Sequence, residues 1–331
     1  MNILIIGAAG MVGRKLAERL LVDGKLGGQS IDAIEMVDIV TPAVPEVPAG
    51  SPAASIKFTT GVADLSATGT ATKLVASQPD VIFHLAAIVS GEAEADFEKG
   101  YRINLDGTRD LFEAIRLQGG EQYAPRIVFT SSIAVFGAPF PAKIPDDYHL
   151  TPLTSYGTQK AIGELLLADY SRRGIFDGVG IRLPTVCIRP GKPNAAASGF
   201  FSGILREPIN GIEAVLPVVD TVRHWFASPR SAIDFCIHAA TIDGQKIGPR
   251  RNLSMPGLSA TVAEQIDSLG RVVGADAVKL IKRKDDPTIQ SIVAGWPTDF
   301  DTSRALELGF KSETSFDDII KVYLEDEMSG A

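Results

Sequence analysis

The sequence predicts an α/β fold: a Rossmann-type, doubly wound parallel sheet with a smaller, discontinuous α/β lobe. Three observations predict it. Short apolar runs alternate with helical patterns through the first half of the chain. The first run, residues 2–6, passes through a glycine-rich turn, residues 7–13, into a helix. Later runs end at Asp38, Ser132 and Pro184, and ligands bind at the carboxyl ends of the strands in such sheets.

The bulk composition argues against several classes of function. With 331 residues, 45% of them hydrophobic, the chain is long enough for one large domain or two interleaved ones. A net charge of −8 without a long basic run makes nucleic acid and acidic membrane surfaces unexpected partners. The apolar runs are too short to span a bilayer, and the N-terminus carries no positive leader. We therefore expect a cytoplasmic protein.

Cysteine and histidine spacing gives no sign of a metal. Cys187 and Cys236 lie in apolar contexts, and their spacing suits neither a metal site nor a disulfide framework, which fits a reducing compartment. The four histidines lack the paired spacing of a metal site. No protein-bound metal is expected.

The glycine-rich turn has the pattern of a phosphate-binding loop. Gly7 allows the tight turn, Gly10 lets the backbone approach a pyrophosphate, and Gly13 lets helix and strand pack closely. Met11 and Val12 lie at the helix start, where free N–H groups and a positive partial charge favour an anion. The turn predicts dinucleotide binding, although three glycines at this spacing also occur in ordinary strand-to-helix turns.

The next strand, residues 34–37, ends at Asp38. A carboxylate here can accept both hydroxyls of an adenosine ribose and would repel a 2′-phosphate, which favours NAD over NADP. The alternative is an ordinary strand-end aspartate, and Arg14 is a nearby cation that weakens the preference slightly. Residues 24–30 are predicted to form an inserted loop.

Small and polar residues continue along the predicted cofactor edge. Asp64 and Leu65 fall where an adenine would lie, or else form a turn. The strand predicted over residues 81–87 ends in Ala86 and Ala87, whose small side chains leave room for a cofactor.

Ser90 follows that strand and can face a substrate hydroxyl or carboxylate. A long helix is predicted over residues 93–118. On its apolar face Asn104 either holds a water or backbone group near the site or is a satisfied structural residue. The strand at residues 126–132 ends in three hydroxyls.

Tyr156 and Lys160 are four residues apart at the start of a predicted helix, residues 155–173, and so share one helix face. A nearby ammonium stabilises a phenolate, so we expect the pKa of Tyr156 to fall toward working pH. Such a tyrosine can act as a general acid or base. The spacing alone is common on amphipathic helices.

The character of the sequence changes after the strand predicted at residues 179–183. Residues 189–202 predict a substrate-enclosing loop, with Asn194 and Ser198 as its polar candidates and Arg189 and Lys192 as either ligands or solvated charges. Further elements are predicted as strands at 215–216, 222–226 and 278–282 and as helices at 229–240, 261–273 and 315–327.

Taken together, these motifs resemble the extended short-chain dehydrogenase/reductases, the NAD-dependent epimerase/dehydratase family. The matching segments are Gly7-x-x-Gly10-x-x-Gly13, Asp38, Asp64-Leu65, residues 84–87, Asn104-x-x-Gly107-Thr108, residues 130–137, Tyr156-x-x-x-Lys160, and residues 301–310 and 314–318. The resemblance implies that residues 1–184, with a return segment at about 227–250, bind NAD. Residues 185–226 and 251–331 would then form the substrate-binding lobe.

The resemblance also implies roles. Tyr156 takes the proton of a substrate hydroxyl, Lys160 lowers its pKa and binds the nicotinamide ribose, and Ser132 steadies the reacting oxygen. Ser131 should point to the opposite face of the strand. Gly7, Gly10, Met11, Val12, Asp38, Asp64, Leu65, Ala86, Ala87, Asn104, Tyr156, Lys160, Pro184 and Thr185 are the expected NAD contacts.

Within the family, residues 181–201 and 223–225 look most like the D-erythronate dehydrogenases, which oxidise a four-carbon sugar acid at C2. Arg223 is then the expected carboxylate partner, because arginine grips a carboxylate with two parallel bonds. In sugar-nucleotide relatives an arginine at the corresponding place meets a pyrophosphate instead. Ser90, Ser132, Tyr156, Asn194 and Ser198 are the other expected substrate contacts.

Two alternatives stay open at this point. One is a nucleotide-sugar epimerase or dehydratase that recycles NAD as an internal oxidant. The other is an NAD-binding regulatory or scaffold protein, although such proteins commonly lose the tyrosine or the lysine. By analogy with the family, helices near residues 93–118 and 155–173 would pair with their copies in a homodimer.

Overall fold

The computed structural model describes residues 1–46, 52–118, 123–191 and 197–328. It divides into two compact units. The first comprises Met1–Ser132, Thr154–Arg182 and Ile233–Leu253. The second comprises Ile133–Leu153, Leu183–Ala232 and Ser254–Ala331. Residues 133–153 thus belong with the second unit, whereas the prediction placed them in the NAD-binding domain.

A seven-stranded sheet forms the centre of the first unit. Its strands in spatial order are Asn252–Ser254, Asp177–Leu183, Arg126–Ser132, Val81–His84, Asn2–Ile6, Ala33–Asp38 and Lys57–Val62. Strand Asn2–Ile6 pairs in parallel with a neighbour on each side, so that Ile6 lies opposite both Val37 and His84. Because the chain proceeds outward from this strand first to one side and then to the other, the sheet is doubly wound, as predicted.

Helices cover this sheet. Those of the first unit are Met11–Asp23, Thr70–Val75, Ser90–Ala95, Phe97–Gly100, Gly107–Gln118, Ser155–Arg172 and Gly244–Ile247, with a 3-10 turn at Pro52–Ser55. Helix Pro229–Thr241 belongs to the first unit from Ile233 onward. Leu4, Ile6, Phe112 and Phe129 are fully buried between helices and strands. These side chains come from the apolar runs that predicted the strands and from the apolar face of Gly107–Gln118.

Two predictions in this unit were wrong. The single helix over residues 93–118 is broken at Asp96, whose extended backbone ends one helix while its carboxylate accepts the Lys99 N–H and starts the next. A π-helical stretch, Tyr101–Asp106, then precedes Gly107–Gln118. The loop expected at residues 24–30 contains a small antiparallel hairpin, Lys25–Leu26 with Gln29–Ser30.

The second unit is built from short strands around its own core. A three-stranded sheet joins Thr185–Val186, Arg223–Ala227 and Leu258–Thr261, and two parallel pairs join Ala214–Leu216 with Ile281–Arg283 and Ile144–Pro145 with Phe300–Asp301. Its helices are Gly199–Ile209, Val262–Val272, Ala275–Lys279, Pro287–Ala294, Ser303–Glu307 and Phe316–Tyr323, with a 3-10 turn at Ile133–Val135 and a π-helical turn at Leu324–Met328.

One strand of the second unit was misplaced by the prediction. Residues 278–282 were expected to be extended, but the helix Ala275–Lys279 occupies the first part and the strand begins at Ile281. Val278 packs against the apolar cluster around Phe201, Phe226 and Phe316, so its apolar character reflects a helix face rather than a strand.

Within the described residues, no helix combines the length and the apolar character that a membrane span requires. Nor do those residues contain a cluster of metal-ligating side chains.

Candidate active site

The helix that carries Tyr156 is fixed at its first turn by polar caps. The Thr154 hydroxyl accepts the N–H of Gly157 at 3.0 Å, and the Glu94 carboxylate accepts the N–H of Ser155 at 2.9 Å. Tyr156, half-buried in the first turn of Ser155–Arg172, therefore has a defined backbone position. Its phenol hydrogen-bonds the Ser132 hydroxyl at the carboxyl end of strand Arg126–Ser132.

The two neighbouring serines at that strand end face opposite ways, as predicted. While Ser132 meets Tyr156, the buried Ser131 hydroxyl donates to the Glu164 carboxylate at 2.5 Å. Glu164 is also buried and receives the Arg182 guanidinium, Nη2 to Oε2 at 2.8 Å. Ser131 thus belongs to a buried ion-pair network behind the strand, a network that sequence reasoning missed because its members are far apart in the chain.

Lys160 is buried close to the Tyr156 ring. Its Nζ donates to the Thr130 carbonyl at 2.8 Å and lies 4.8 Å from the centre of the Phe129 ring and 5.9 Å from that of Tyr156. Burial lowers the pKa of Lys160 to about 8, with Glu164 acting in the opposite direction.

The predicted fall in the pKa of Tyr156 is wrong for this structure. Burial raises the pKa of Tyr156 to about 12, and the Ser132 hydrogen bond offsets only part of that effect. Removing the phenolate from water outweighs the cation, whose N–H is directed at a backbone carbonyl. The phenol therefore holds its proton at neutral pH.

The glycine turn leaves no space for side chains at two of its three glycines. Gly7 has φ +92°, and a Cβ there would lie 2.5 Å from the Ala86 nitrogen. A Cβ on Gly13 would lie 2.5 Å from the Gly7 carbonyl oxygen, so close helix–strand packing depends on this glycine. Gly10 caps the 13-residue helix Met11–Asp23 without a side-chain hydrogen bond, so the N–H groups of the first turn remain available. This cradle fits a pyrophosphate.

The predicted ribose carboxylate also supports the turn. One Asp38 oxygen accepts the Ala9 N–H at 2.9 Å, and the other accepts the Ile39 N–H at 2.7 Å. Each oxygen keeps a second lone pair for a ribose hydroxyl. Arg14 is paired with Glu18 at 2.8 Å, which offsets the cation that weakened the NAD preference.

The predicted adenine-edge residues are placed by local bonds. Asp64 accepts the Ser66 amide at 2.9 Å and the Ser66 hydroxyl at 2.6 Å, and the hydroxyl bond chiefly lowers the pKa of Asp64. Leu65 is buried in the core of the first unit. Ala86 and Ala87 follow strand Val81–His84 and are partly exposed.

Asn104 is satisfied by the protein itself. Its Oδ1 accepts the Ile88 N–H at 2.9 Å, and its Nδ2 donates to the Ile88 carbonyl at 3.2 Å and to Gln159 Oε1 at 2.8 Å. It therefore ties the segment after Ala87 to the Tyr156 helix. These bonds fit both roles that the sequence left open, because they hold the backbone at Ile88 and also satisfy the buried amide. Ser90, two residues beyond Ile88, is partly buried at the start of Ser90–Ala95.

The remaining predicted residues belong to the second unit. Arg223 is exposed, donates to the Ser259 carbonyl at 3.0 Å and pairs with Glu264 at 3.2 Å. Thr185 bonds to His224, Oγ1 to Nε2 at 2.7 Å. Pro184 is buried. Asn194 and Lys192 lie outside the described residues.

Arg189, which the sequence left open as a ligand or a solvated charge, is held by hydrogen bonds to two serines. Its Nη2 donates to Ser198 Oγ at 3.2 Å, and its backbone N–H donates to Ser202 Oγ at 3.1 Å. Burial lowers the pKa of Arg189. In the described part of the chain no carboxylate forms an ion pair with it, whereas the neighbouring Arg206 pairs with Glu207.

Comparison with known proteins assigns the chain to a family. The profile described as the NAD dependent epimerase/dehydratase family matches residues 3–225. The chain belongs to this family. NAD is accordingly its cofactor, and the glycine cradle and Asp38 fit that molecule.

Three similar proteins illustrate the likeness. A D-erythronate dehydrogenase from Cupriavidus necator is 44% identical over 330 residues, covering 98% of both chains. A D-erythronate dehydrogenase from Haemophilus influenzae is 38% identical over 333 residues, covering 99% of this chain and all of the other. A crystal structure described as a nucleoside-diphosphate-sugar epimerase from Agrobacterium tumefaciens is 64% identical with a TM-score of 0.95, covering 100% of this chain and 95% of the other.

Proposed function

We propose that this enzyme oxidises the C2 hydroxyl of D-erythronate to give 2-dehydro-D-erythronate, with NAD as the electron acceptor. The observation that carries the proposal is the full-length likeness to two D-erythronate dehydrogenases at 44% and 38% identity. The Ser132–Tyr156–Lys160 cluster supports the same chemistry, because alcohol oxidation needs a proton acceptor beside the carbon that gives up hydride.

The protein side of the reaction is proton transfer at one oxygen. Ser132 holds the C2 hydroxyl, and Tyr156 takes its proton as the C–H bond breaks. When bound, NAD supplies the hydride acceptor. Because burial raises the pKa of Tyr156 to about 12, formation of the phenolate depends on Lys160 turning its ammonium toward the phenol and the nicotinamide ribose.

The predicted cofactor contacts remain proposals with supporting geometry. The turn residues Gly7, Gly10, Met11 and Val12 would hold the pyrophosphate, and Asp38 the adenosine ribose. Asp64 and Leu65 would border the adenine, Ala86, Ala87 and Asn104 would line the middle of the site, and Pro184 and Thr185 would meet the carboxamide.

The substrate carboxylate requires a cation, and Arg189 is better suited than Arg223. Arg223 is exposed and already engages Glu264, so a carboxylate there would compete with an existing ion pair. Arg189 is largely removed from water beside Ser198, and an unpaired buried cation is costly unless a ligand neutralises it. We therefore assign the carboxylate to Arg189, with Ser90, Asn194 and Ser198 as contacts to the hydroxyls.

The proposal is tested by mixing the purified protein with NAD and D-erythronate and following NADH absorbance. Net NADH formation with D-erythronate, and weak or absent formation with L-erythronate and D-threonate, is the expected result. Parallel assays with NADP measure the discrimination attributed to Asp38. No NADH from any small aldonic acid would overturn the proposal.

A second candidate is an epimerase acting on a nucleoside-diphosphate sugar. It is favoured by the description of the structure that is 64% identical to this chain. Such an enzyme would return hydride to its own substrate, so it would give no net NADH, and it would convert a UDP-sugar to its epimer. Chromatography of UDP-sugars incubated with the enzyme distinguishes the two reactions.

We further propose that the enzyme acts in the cytoplasm as a homodimer, without nucleic-acid or membrane partners. Exposed leucines support a self-association surface: Leu117 is 72% exposed on Gly107–Gln118, and Leu165 is 64% exposed on Ser155–Arg172. Light scattering coupled to size exclusion should give twice the chain mass of 35.2 kDa. A Leu165→Lys variant should shift that value toward the monomer.

A further inference from the structure

Thr185 and His224 meet inside the three-stranded sheet of the second unit. Thr185–Val186 pairs in parallel with Phe226–Ala227, so that Thr185 lies opposite Phe226. Side chains alternate along strand Arg223–Ala227, which places His224 and Phe226 on one face and Trp225 on the other. This register brings the His224 ring to the Thr185 hydroxyl.

The His224 imidazole is enclosed by aromatic rings. It is 2% exposed, stacks on Phe201 at 5.4 Å between ring centres, and contacts Trp296 at 5.2 Å and the edge of Phe226 at 5.4 Å. Removal from water disfavours the imidazolium and lowers the pKa of His224 to about 4, while the Pro297 carbonyl acts in the opposite direction. At neutral pH the ring is uncharged and offers one donor and one acceptor.

The neighbours decide which nitrogen carries the hydrogen. His224 Nδ1 lies 2.9 Å from the Pro297 carbonyl oxygen, which can only accept, so Nδ1 is the protonated nitrogen. Nε2 then has only a lone pair. Because Thr185 Oγ1 lies 2.7 Å from Nε2, the Thr185 hydroxyl must donate its hydrogen to the ring.

We propose that His224 is a positioning residue that fixes the Thr185 hydroxyl as a hydrogen-bond acceptor for NAD. With its hydrogen held by Nε2, the hydroxyl presents only lone pairs, so its ligand must be an N–H or O–H donor and not a carboxylate. At the nicotinamide end of NAD, the carboxamide NH₂ group is such a donor. Thr185 follows the carboxyl end of strand Asp177–Leu183 by two residues, where doubly wound sheets bind ligands.

The assignment rests on the proposed function only for placing Thr185 beside the nicotinamide, and it is tested without substrate. Isothermal titration calorimetry compares NAD with 3-acetylpyridine adenine dinucleotide, which keeps the ring carbonyl but has a methyl group in place of the NH₂. Thr185→Val should weaken NAD about 3- to 10-fold, the value of one neutral hydrogen bond, and leave the acetylpyridine analogue unchanged. Thr185→Ser should retain the wild-type preference.

His224 variants test the positioning role. His224→Phe leaves the Thr185 hydroxyl free to rotate, so the preference for NAD over the analogue should fall toward that of Thr185→Val. His224→Gln supplies a side-chain carbonyl acceptor and should restore much of the preference. Thermal melts identify any variant that does not fold, and Thr185→Val together with His224→Gln keeps the test decisive if His224→Phe fails.

Equal weakening of both dinucleotides by Thr185→Val would overturn the proposal, as would an unchanged preference in a folded His224→Phe. Failure of the proposed function has a separate signature, because it would appear as intact NAD binding by the wild-type enzyme without NADH formation from D-erythronate.

Discussion

Each unit contains a buried histidine that is hydrogen-bonded to a threonine. The histidine is the donor in one pair and the acceptor in the other. In the first unit, the Thr108 hydroxyl donates to the Asn104 carbonyl at 2.8 Å, so it accepts from His84 Nε2 at 2.8 Å. In the second, Thr185 donates to His224 Nε2. A backbone carbonyl determines the ring tautomer in each case. For His84 the carbonyl accepts from the bonded threonine, and for His224 it accepts from the ring nitrogen Nδ1.

The difference separates a structural pair from the one that we propose faces a ligand. Thr108 both accepts and donates within the protein and is 1% exposed, whereas Thr185 is partly exposed with unused lone pairs. The same division holds for the charged groups: the first unit holds the Tyr156–Lys160 pair, to which we assign proton transfer, and the second holds Arg189, to which we assign only attraction of the carboxylate. We therefore expect changes at Tyr156, Lys160 and Thr108 to affect turnover or stability. Changes at Arg189 and Thr185 should instead affect binding.

Replacing Tyr156 with phenylalanine should have the largest effect. Without the phenol no group accepts the substrate proton, so kcat should fall by about 10²- to 10⁴-fold, the contribution of a positioned general base. NAD affinity, measured by calorimetry, should stay within about twofold, because the ring and helix are retained. Substantial dehydrogenase activity in Tyr156→Phe would remove this residue from its assigned role.

The two arginines of the second unit should give the next largest contrast. Arg189→Leu should raise KM for D-erythronate about 10- to 100-fold, because a charge-assisted bond to the carboxylate is lost, with a smaller change in kcat. Arg223→Leu is the matched control and should change KM less than about threefold, since it loses an exposed ion pair. If steady-state kinetics show a larger rise in KM for Arg223→Leu than for Arg189→Leu, the carboxylate is assigned to Arg223 instead.

Lys160 should affect the pH dependence of the free energy of unfolding rather than substrate binding. Its pKa in the folded chain, about 8, lies below its ordinary value of 10.5, so between these pH values the unfolded chain binds more protons. The contribution of Lys160 to stability should therefore rise as pH rises through this window, by on the order of 2–3 kcal/mol at most, whereas the thiols of Cys187 and Cys236, whose pKa is raised by burial, act in the opposite direction. Urea unfolding of the wild type and Lys160→Met from pH 7.5 to 10 isolates this contribution, because the other titrating groups are common to both proteins and cancel in the difference.

An exposed lysine provides the control for that experiment. Lys311→Met should follow the pH dependence of the wild type, because its ammonium is already in water. If Lys160→Met follows the wild type as well, the buried lysine makes no such contribution.

The smallest effect is expected at Thr108. Thr108→Val removes two internal hydrogen bonds and should lower the free energy of unfolding by about 1–2 kcal/mol in urea titrations. Its preference for NAD over the acetylpyridine analogue should match the wild type, in contrast to Thr185→Val. A changed preference at Thr108 would erase the distinction between the two histidine pairs.

Much of the first unit was predictable because its signals are local. The apolar runs, the glycine turn and the strand ends at Asp38 and Ser132 depend on residues close in sequence, and the sheet, the family and the NAD cofactor that they predicted are confirmed. The sugar-acid activity predicted from residues 181–201 and 223–225 agrees with the names of the two dehydrogenase relatives.

What the sequence could not reveal depends on burial and on distant partners. The pKa of Tyr156 was predicted from the lysine beside it, whereas desolvation, a property of the folded chain, dominates. Arg189 and Arg223 cannot be told apart without knowing that one is enclosed and the other meets Glu264. The role proposed for His224 depends on Pro297, 73 residues away.

Asp38 has a consequence for redesigning cofactor preference. Both of its oxygens already receive backbone N–H groups, from Ala9 in the glycine turn and from Ile39. A substitution made to admit a 2′-phosphate would therefore also release the turn that we propose holds the pyrophosphate. Evolution or engineering toward NADP must then supply a new anchor for Ala9 together with the new cation, so a change at this one position should yield an enzyme that is poor with both dinucleotides.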